Sequence, residues 1–412
     1  MKSVKAFVSC LLLVIAANSF PISSPQLKNI PLRHLSTGLG KRDIHGQTLY
    51  HEQPLAYLID VGIGTPPQYF TLTVDTGSSD MWVPSTACST YSECPGPKFD
   101  ARKSSTFVNS SIPFNIVYAV GAEKGTYGFD RIQIGGYNIT KQSFATADTA
   151  RNNTEQPKPT PYTQGIVGFG PYDGSSMALI SEQHGSKPFI YTLHQDGHIP
   201  NLCFGLHLGS IYNQNYSGLL TLGGANKSMF HGEMDFIKVA PYESLDGEKR
   251  YMSWNALINS FAVGDNTYKL DKDPTPFTLD TGASFSYLPD SIVKTMVTKL
   301  SAEAQLGNNS IWYLPCSLLN STKTLDIHFT NSTKRPVSSK STYSIPVSSL
   351  ILPKYDDNIT SCFFGIISAK SMDQYILGLT ILRHMYLLFD LEEMSIGIAK
   401  PVLKDFQPYP LP

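Results

Sequence analysis

Alternation of apolar and polar positions dominates the chain and predicts strands far more often than helices. From Tyr57 to Val74 the pattern reads strand, turn, strand: Tyr57-Leu-Ile-Asp-Val-Gly-Ile, a Thr-Pro-Pro turn, then Phe70-Thr-Leu-Thr-Val. The second run ends on Asp75. Ile112 to Gly136 alternates apolar with small residues and predicts a long hairpin. Phe114-Asn-Ile-Val-Tyr118 leads to its tip, with a Gly-rich turn expected over Gly121–Gly125. Leu219 to Gly224 predicts a strand and tight turn, Phe277-Thr-Leu a strand ending on Asp280, and Leu387 to Lys400 two closing strands. Helical spacing is confined to Ile292, Met296, Val297 and Leu300, within Pro289–Gln305. The Ser/Thr/Lys-rich stretch 331–342 predicts an exposed insertion.

Composition supports this all-β pattern: 28 Pro and 31 Gly punctuate a chain with 22 Tyr and 21 Phe. At 412 residues the chain exceeds one ordinary domain, so two lobes are expected, 47–225 and 226–412. Net charge is −1 and no basic tract occurs, which argues against a nucleic-acid partner. Residues 1–19 read as a signal peptide: Lys2 and Lys5, an apolar core from Ala6 to Ala17, and the small-residue run Ala16-Ala17-Asn18-Ser19. No later stretch is apolar and long enough to span a bilayer. Nine N-x-S/T sequons, at Asn109, Asn138, Asn152, Asn215, Asn226, Asn308, Asn320, Asn331 and Asn358, fit a secretory-pathway glycoprotein. The chain is expected outside the cell, in a digestive lumen, or in a lysosome.

Two stretches carry the chemistry. Val74-Asp75-Thr76-Gly77-Ser78-Ser79 returns as Leu279-Asp280-Thr281-Gly282-Ala283-Ser284, each copy at the end of a predicted strand. One Asp-Thr-Gly suits any strand exit. Two copies roughly one domain apart call for a chemical reason. Carboxyls held within hydrogen-bonding distance cannot both ionise cheaply, so such a pair shares one proton and titrates as a unit. It then offers a base and an acid together, able to deprotonate a water and protonate the carbonyl that the water attacks. Glycine lets the two loops approach closely, and each threonine hydroxyl can tie one loop to the other. No H-E-x-x-H or comparable ligand spacing implies a metal or other cofactor, and no G-x-S-x-G elbow is present.

The pair V-D-T-G-S-S and L-D-T-G-A-S resembles the two active-site loops of pepsin-like aspartic proteases, a likeness running from about Tyr57 to Ala399. The resemblance implies an all-β, bilobal pepsin-like fold: two pseudo-twofold related β-lobes with a cleft between them. It implies an aspartic endopeptidase cutting between large hydrophobic residues at acidic pH, with Asp75 and Asp280 catalytic and Thr76, Gly77, Ser78, Thr281 and Gly282 supporting them. Tyr118 is then the flap tyrosine bonded to Trp82. Ile116, Ile166, Gly121, Gly282 and Ala283 join these two in contacting substrate, and peptides or unfolded proteins are the partners of a monomer. Gly165–Gly170 and Tyr375–Leu379 resemble segments that thread behind the catalytic loops, although Leu379 replaces the usual Asp. Disulfides Cys88–Cys94 and Cys316–Cys362 follow the family pattern. Cys203 then has no partner once Cys10 leaves with the signal, and a buried free thiol is expected.

Departures from the family sharpen the expectations. Ala119-Val120 replaces the usual Gly-Thr or Gly-Ser after the flap tyrosine, and a damaged flap is the basis of an alternative reading, an inactive peptide-binding homologue. Residues 20–46 resemble a self-inhibiting prosegment, here short, with a dibasic Lys41-Arg42. Six of the 32 Lys/Arg but one of the 33 Asp/Glu fall in residues 1–46, so a basic leader meets an acidic body and is released as carboxylates protonate. Ser78 is expected to donate to Asp75, whereas Ala283 offers Asp280 no hydroxyl; the missing donor predicts a less acidic optimum than pepsin's.

Overall fold

The computed structural model describes residues 27–34, 56–88, 94, 96–118, 121–152, 164–176, 187–210, 217–243, 247–307, 310–330, 342–353, 362–369 and 374–402. The signal segment, Lys41-Arg42, Ala119-Val120, residues 331–341 and the sequons at Asn215, Asn308, Asn331 and Asn358 lie outside them.

Strands dominate, joined by short turns and few helices. In the N-terminal half, β1 (Lys28–His34), β2 (Tyr57–Ile63), β3 (Gln68–Asp75), β4 (Met81–Pro84), β5 (Val108–Tyr118), β6 (Gly121–Ile134), β7 (Tyr137–Asn152) and β8 (Ile166–Gly168) pair in one continuous sheet. β2 and β3 form the expected hairpin, with Ile63 opposite Gln68. β8 runs parallel to β3 and antiparallel to β4, and β4 runs parallel to β7. The C-terminal half repeats this order. Thr275–Leu279 is parallel to Tyr375–Leu377, which opposes Ser286–Leu288, itself parallel to Ile366–Ser368. Each half therefore delivers one aspartate from the end of a buried strand, beside a short parallel partner.

A third group of strands joins the halves. β9 (Cys203–Leu208) and β10 (Gly218–Leu222) pair with each other, and β9 then meets Tyr386–Asp390. Ser395–Pro401 and β11 (Phe230–Lys238) complete the series. Phe204, Trp254 and Phe389 pack over this seam; the Phe204 and Phe389 rings stack with centroids 4.9 Å apart. Interdigitated aromatic burial of this size fixes one lobe against the other.

β1, in the basic leader, lies between β10 and β2. Its Ile30 and Leu32 are buried, while Arg33 pairs with Asp60, both side chains more than half exposed. The two apolar side chains contribute roughly 3–6 kcal/mol as an upper estimate, against ~0–1 kcal/mol for an exposed ion pair. Apolar burial and backbone pairing hold this strand; charge contributes little.

The structure corrects two expectations. Gly121–Gly125 is strand rather than turn: Tyr118 pairs with Gly121, so the connection is the two residues between them. These glycines answer to packing, since a Cβ on Gly125 would lie 1.9 Å from the Thr146 carbonyl oxygen. Cys203 is buried on β9 as expected, but it is disulfide-bonded and not a free thiol, its partner lying outside the described residues. Cys88 is bonded to Cys94 and Cys316 to Cys362.

The helix at Asp290–Leu300 buries Ile292, Met296, Val297 and Leu300. No helix among the described residues is long and apolar enough to cross a membrane. Of the sequons, Asn109, Asn138 and Asn320 are exposed, Asn152 ends β7, and Asn226 is half-buried with its amide donating to Asn29 of β1 at 3.1 Å.

Candidate active site

Asp75 and Asp280 leave their strands toward each other, and the threonines after them lock the approach. Thr76 Oγ1 donates to the Leu279 carbonyl at 2.8 Å and accepts from the Thr281 amide at 3.0 Å. Thr281 Oγ1 donates to the Val74 carbonyl at 2.7 Å and accepts from the Thr76 amide at 3.1 Å. Both threonines are fully buried. Four bonds thus pair two hydroxyls, two amides and two carbonyls that the crossing would otherwise strand in the core.

The glycines set the separation of the carboxyls. Gly77 N–H donates to Asp75 Oδ1 at 2.8 Å, and Gly282 N–H to Asp280 Oδ1 at 2.7 Å. A Cβ on Gly77 would lie 2.5 Å from the Asp280 carboxyl carbon, and one on Gly282 would lie 2.5 Å from Asp75 Oδ1. Each glycine faces the opposite carboxyl, and any side chain there would occupy the space of the pair.

The surroundings of the two carboxyls are unequal. Ser78 Oγ donates to Asp75 Oδ2, whereas Ala283 presents only its backbone amide to Asp280. Burial, then the Asp75 charge, then the hydrogen bond with Asp75 hold the Asp280 carboxyl well above its ordinary range; the Gly282 and Ala283 amides oppose this. The protonated form of Asp280 is the one these surroundings favour.

The hairpin β5–β6 overhangs this pair. Trp82 Nε1 donates to Tyr118 Oη at 3.0 Å, and Ser78 also engages the phenol. Burial, followed by the Asp75 and Glu123 charges, raises the Tyr118 pKa, so the hydroxyl stays protonated. Ile116 and Ile166 pack with Trp82, Phe114 and Tyr127 under the hairpin, and Gly121 sits opposite Tyr118.

Sequence reasoning named Gly165–Gly170 and Tyr375–Leu379 behind the loops but missed the partners Asp80, Trp254 and Ser286. Asp80 is buried and accepts from Ser175 Oγ at 2.7 Å and Ser176 N–H at 2.8 Å. Trp254 Nε1 donates to the Phe169 carbonyl at 2.9 Å, and Phe169 N–H in turn donates to the Asp75 carbonyl at 2.7 Å. Ser286 Oγ accepts from Gly378 N–H at 3.0 Å, and Leu379, buried, donates its N–H to the Ala283 carbonyl at 2.9 Å. The departure at Leu379 thus places an apolar side chain in the core directly behind the second loop. Glu123 was missed as well. Its signal was the even spacing along β6 that puts it on the face of Gly121.

A two-lobed β-protein in which each lobe contributes one Asp-Thr-Gly loop to a single carboxyl pair defines a class of hydrolase. The chain belongs to the eukaryotic aspartyl protease family, whose sequence profile matches residues 56–401. The mucorpepsin of Rhizomucor miehei is 32% identical over 352 residues, covering 83% of this chain and 77% of that protein. Pepsin A of Sus scrofa is 28% identical over 388 residues, 92% of this chain and 91% of that protein. Vacuolar protease A of Arthroderma otae is 29% identical over 348 residues, 84% and 78% respectively. The chain is thus a hydrolase of the aspartic-endopeptidase class.

Proposed function

We propose that this chain is a secreted endopeptidase, made as a zymogen, that cleaves peptide bonds between large hydrophobic residues in acid through a water activated by Asp75 and Asp280. The observation that carries the reading is the crossed Thr76–Thr281 lock, which brings the two carboxyls face to face. Asp75, aligned by Gly77 and Ser78, takes a proton from the water as its oxygen attacks the scissile carbonyl carbon. Asp280 gives its proton to the carbonyl oxygen, producing a tetrahedral diol that collapses to free amine and acid as the protons return. Tyr118, Ile116 and Ile166 supply the apolar wall that favours large side chains, and the peptide lies extended between hairpin and cleft floor.

Residues 20–46 act as the prosegment in this reading. Since β1 is held chiefly by Ile30 and Leu32, acid weakens the Arg33–Asp60 contact but leaves the main anchor, and cleavage of the leader completes activation. The signal-like start and the sequons support passage through the secretory pathway to an extracellular, digestive or lysosomal compartment.

The deciding experiment is cleavage of an unfolded protein from pH 3 to 7, with and without a statine inhibitor, beside Asp280→Asn. Inhibitable cleavage that falls on the order of 10⁴-fold in the variant is expected. Absence of cleavage after verified removal of the leader would overturn the reading.

A further inference from the structure

The hairpin β5–β6 meets the segment after Asp75 at two heights. At the tip, Tyr118 accepts from Trp82 Nε1 at 3.0 Å. Toward the root, Tyr127 of β6 is buried, and its hydroxyl engages the Asp80 carboxyl. The register joins the two contacts. Tyr127 stands opposite Ala145 of β7, and Ala145 opposite Trp82 of β4, so the three share one face of the sheet. The Tyr127 ring packs edge-on against Phe114 of β5, with centroids 5.2 Å apart.

Tyr127 lies where the ladder supports the hairpin least. Between β5 and β6 the register is interrupted from Asn109–Gly128 to Pro113–Thr126, so Tyr127 falls opposite the break. Its carbonyl accepts there from Ser110 Oγ at 2.6 Å, a side-chain bond. Between β6 and β7 breaks lie on either side of it, from Lys124 to Gly125 and from Asp130 to Ile132. A bulge bends its strand locally, so this part of β6 tilts unless a side chain pins it. Asp80 is suited to pin it, being held independently of the hairpin. Ser175 Oγ and Ser176 N–H donate to its carboxyl at 2.7 and 2.8 Å, and its carbonyl accepts from Gly168 N–H at 3.0 Å. The next residue, Phe169, donates its N–H to the Asp75 carbonyl at 2.7 Å, so the anchor and the catalytic loop share one support. Burial raises the Asp80 carboxyl above its ordinary range, and the Ser175, Ser176 and Tyr127 donors oppose that rise.

We propose that Asp80 and Tyr127 are a positioning pair, which holds the hairpin at its closed height over Asp75 and Asp280 before a peptide arrives. The inference rests on the endopeptidase reading and adds what sets the affinity for an extended chain. A peptide lodged between hairpin and cleft floor requires the closed hairpin. With the bond in place the free protein already holds that form. Without it the hairpin rises about the register breaks, and binding must first bring it down. Apparent affinity then falls by the closed fraction. The bound complex is closed either way, so turnover at saturation keeps its rate. The signature is a raised KM at nearly constant kcat.

Tyr127→Phe keeps the ring against Phe114 and removes only the hydroxyl; Asp80→Ala removes the acceptor. The dissociation constant of an uncleavable hydroxyethylene peptide is measured for the processed protein, each variant and the double variant, beside kcat and KM for a peptide substrate. Tyr127→Phe is expected to weaken inhibitor binding about tenfold and to raise KM alike, with kcat within about twofold. Asp80→Ala loses at least as much, and adding Tyr127→Phe to it costs less than about twofold more. Ser175→Ala takes a donor from Asp80 without touching the hairpin, and binding stays within about twofold of the unaltered protein. Amides of β5 and β6 should exchange hydrogen faster in free Tyr127→Phe and return to the unaltered rate once inhibitor is bound. Unchanged inhibitor binding in Tyr127→Phe, an equal loss in Ser175→Ala, losses that add in the double variant, or a fall in kcat as large as the rise in KM would overturn the proposal. If Asp80→Ala does not fold, Tyr127→Phe and Ser175→Ala decide by themselves. Because the inhibitor is not cleaved, a protein that shows these binding differences yet cuts nothing would fail the endopeptidase reading alone.

Discussion

The two Asp-Thr-Gly loops reach the same backbone geometry by different chemistry. Their shared part is the Thr76–Thr281 lock and the facing glycines, where each loop supplies what the other needs. Beyond it they diverge. The residue after glycine is Ser78 in one and Ala283 in the other. Two positions on, Asp80 is tied to Ser175 and Ser176, whereas Phe285 packs edge-on against Phe363. The second loop recovers a polar brace one residue later, where Ser286 engages Thr380 and Gly378. What is common fixes where the carboxyls sit; what differs is the hydrogen bonding and packing around each.

The largest expected effect breaks the common part. Thr76→Val and Thr281→Val each leave a buried carbonyl and a buried amide without partners, at about 1–3 kcal/mol per orphaned group. Urea denaturation should show each variant less stable by roughly 2–6 kcal/mol, with the two losses alike. A large inequality between them would mean that the lock is not symmetric. The differing part is tested next. Ala283→Ser adds a donor beside Asp280 and should move the limb of the kcat profile that follows this proton to lower pH, on the order of one unit. Ser78→Ala, made in parallel, should not reproduce that shift.

The smallest effect concerns the first loop's brace. Burial raises the Asp80 carboxyl above its ordinary value, so the folded state holds that proton more tightly than the unfolded chain. Its contribution is fully present at low pH and declines as pH climbs from the unfolded pKa to the raised folded one. Asp80→Asn should therefore flatten the loss of stability toward neutral pH in melting curves recorded from pH 3.5 to 7. An unchanged pH slope would remove Asp80 from the balance. Asp280, raised for similar reasons, acts in the same direction.

Much of this architecture was legible in the residues because its signals are local. Period-two alternation marks β2 and β3, and the doubled Asp-Thr-Gly marks both loops. The spacing of Ile292, Met296, Val297 and Leu300 marks the helix, although its end at Leu300 rather than Gln305 depends on tertiary packing. What escaped was set by non-local contact. The glycines of Gly121–Gly125 look like a turn until Thr146 is seen against Gly125. β1 reads as a polar leader, because two buried side chains in seven residues are too few to stand out. Tyr127 carries no motif, and its meaning comes from the strands on either side.

The pairing of β7 along β6 as far as Gly121–Asn152 governs how the overhang can open. A hairpin free on its outer edge can curl at its end; here curling would tear bonds on both sides of β6 at once. Register breaks lie nearer the root, between Asn109 and Pro113, Lys124 and Gly125, and Asp130 and Ile132. A bulge bends its strand locally, so opening of the overhang is expected to move the three strands together about these breaks.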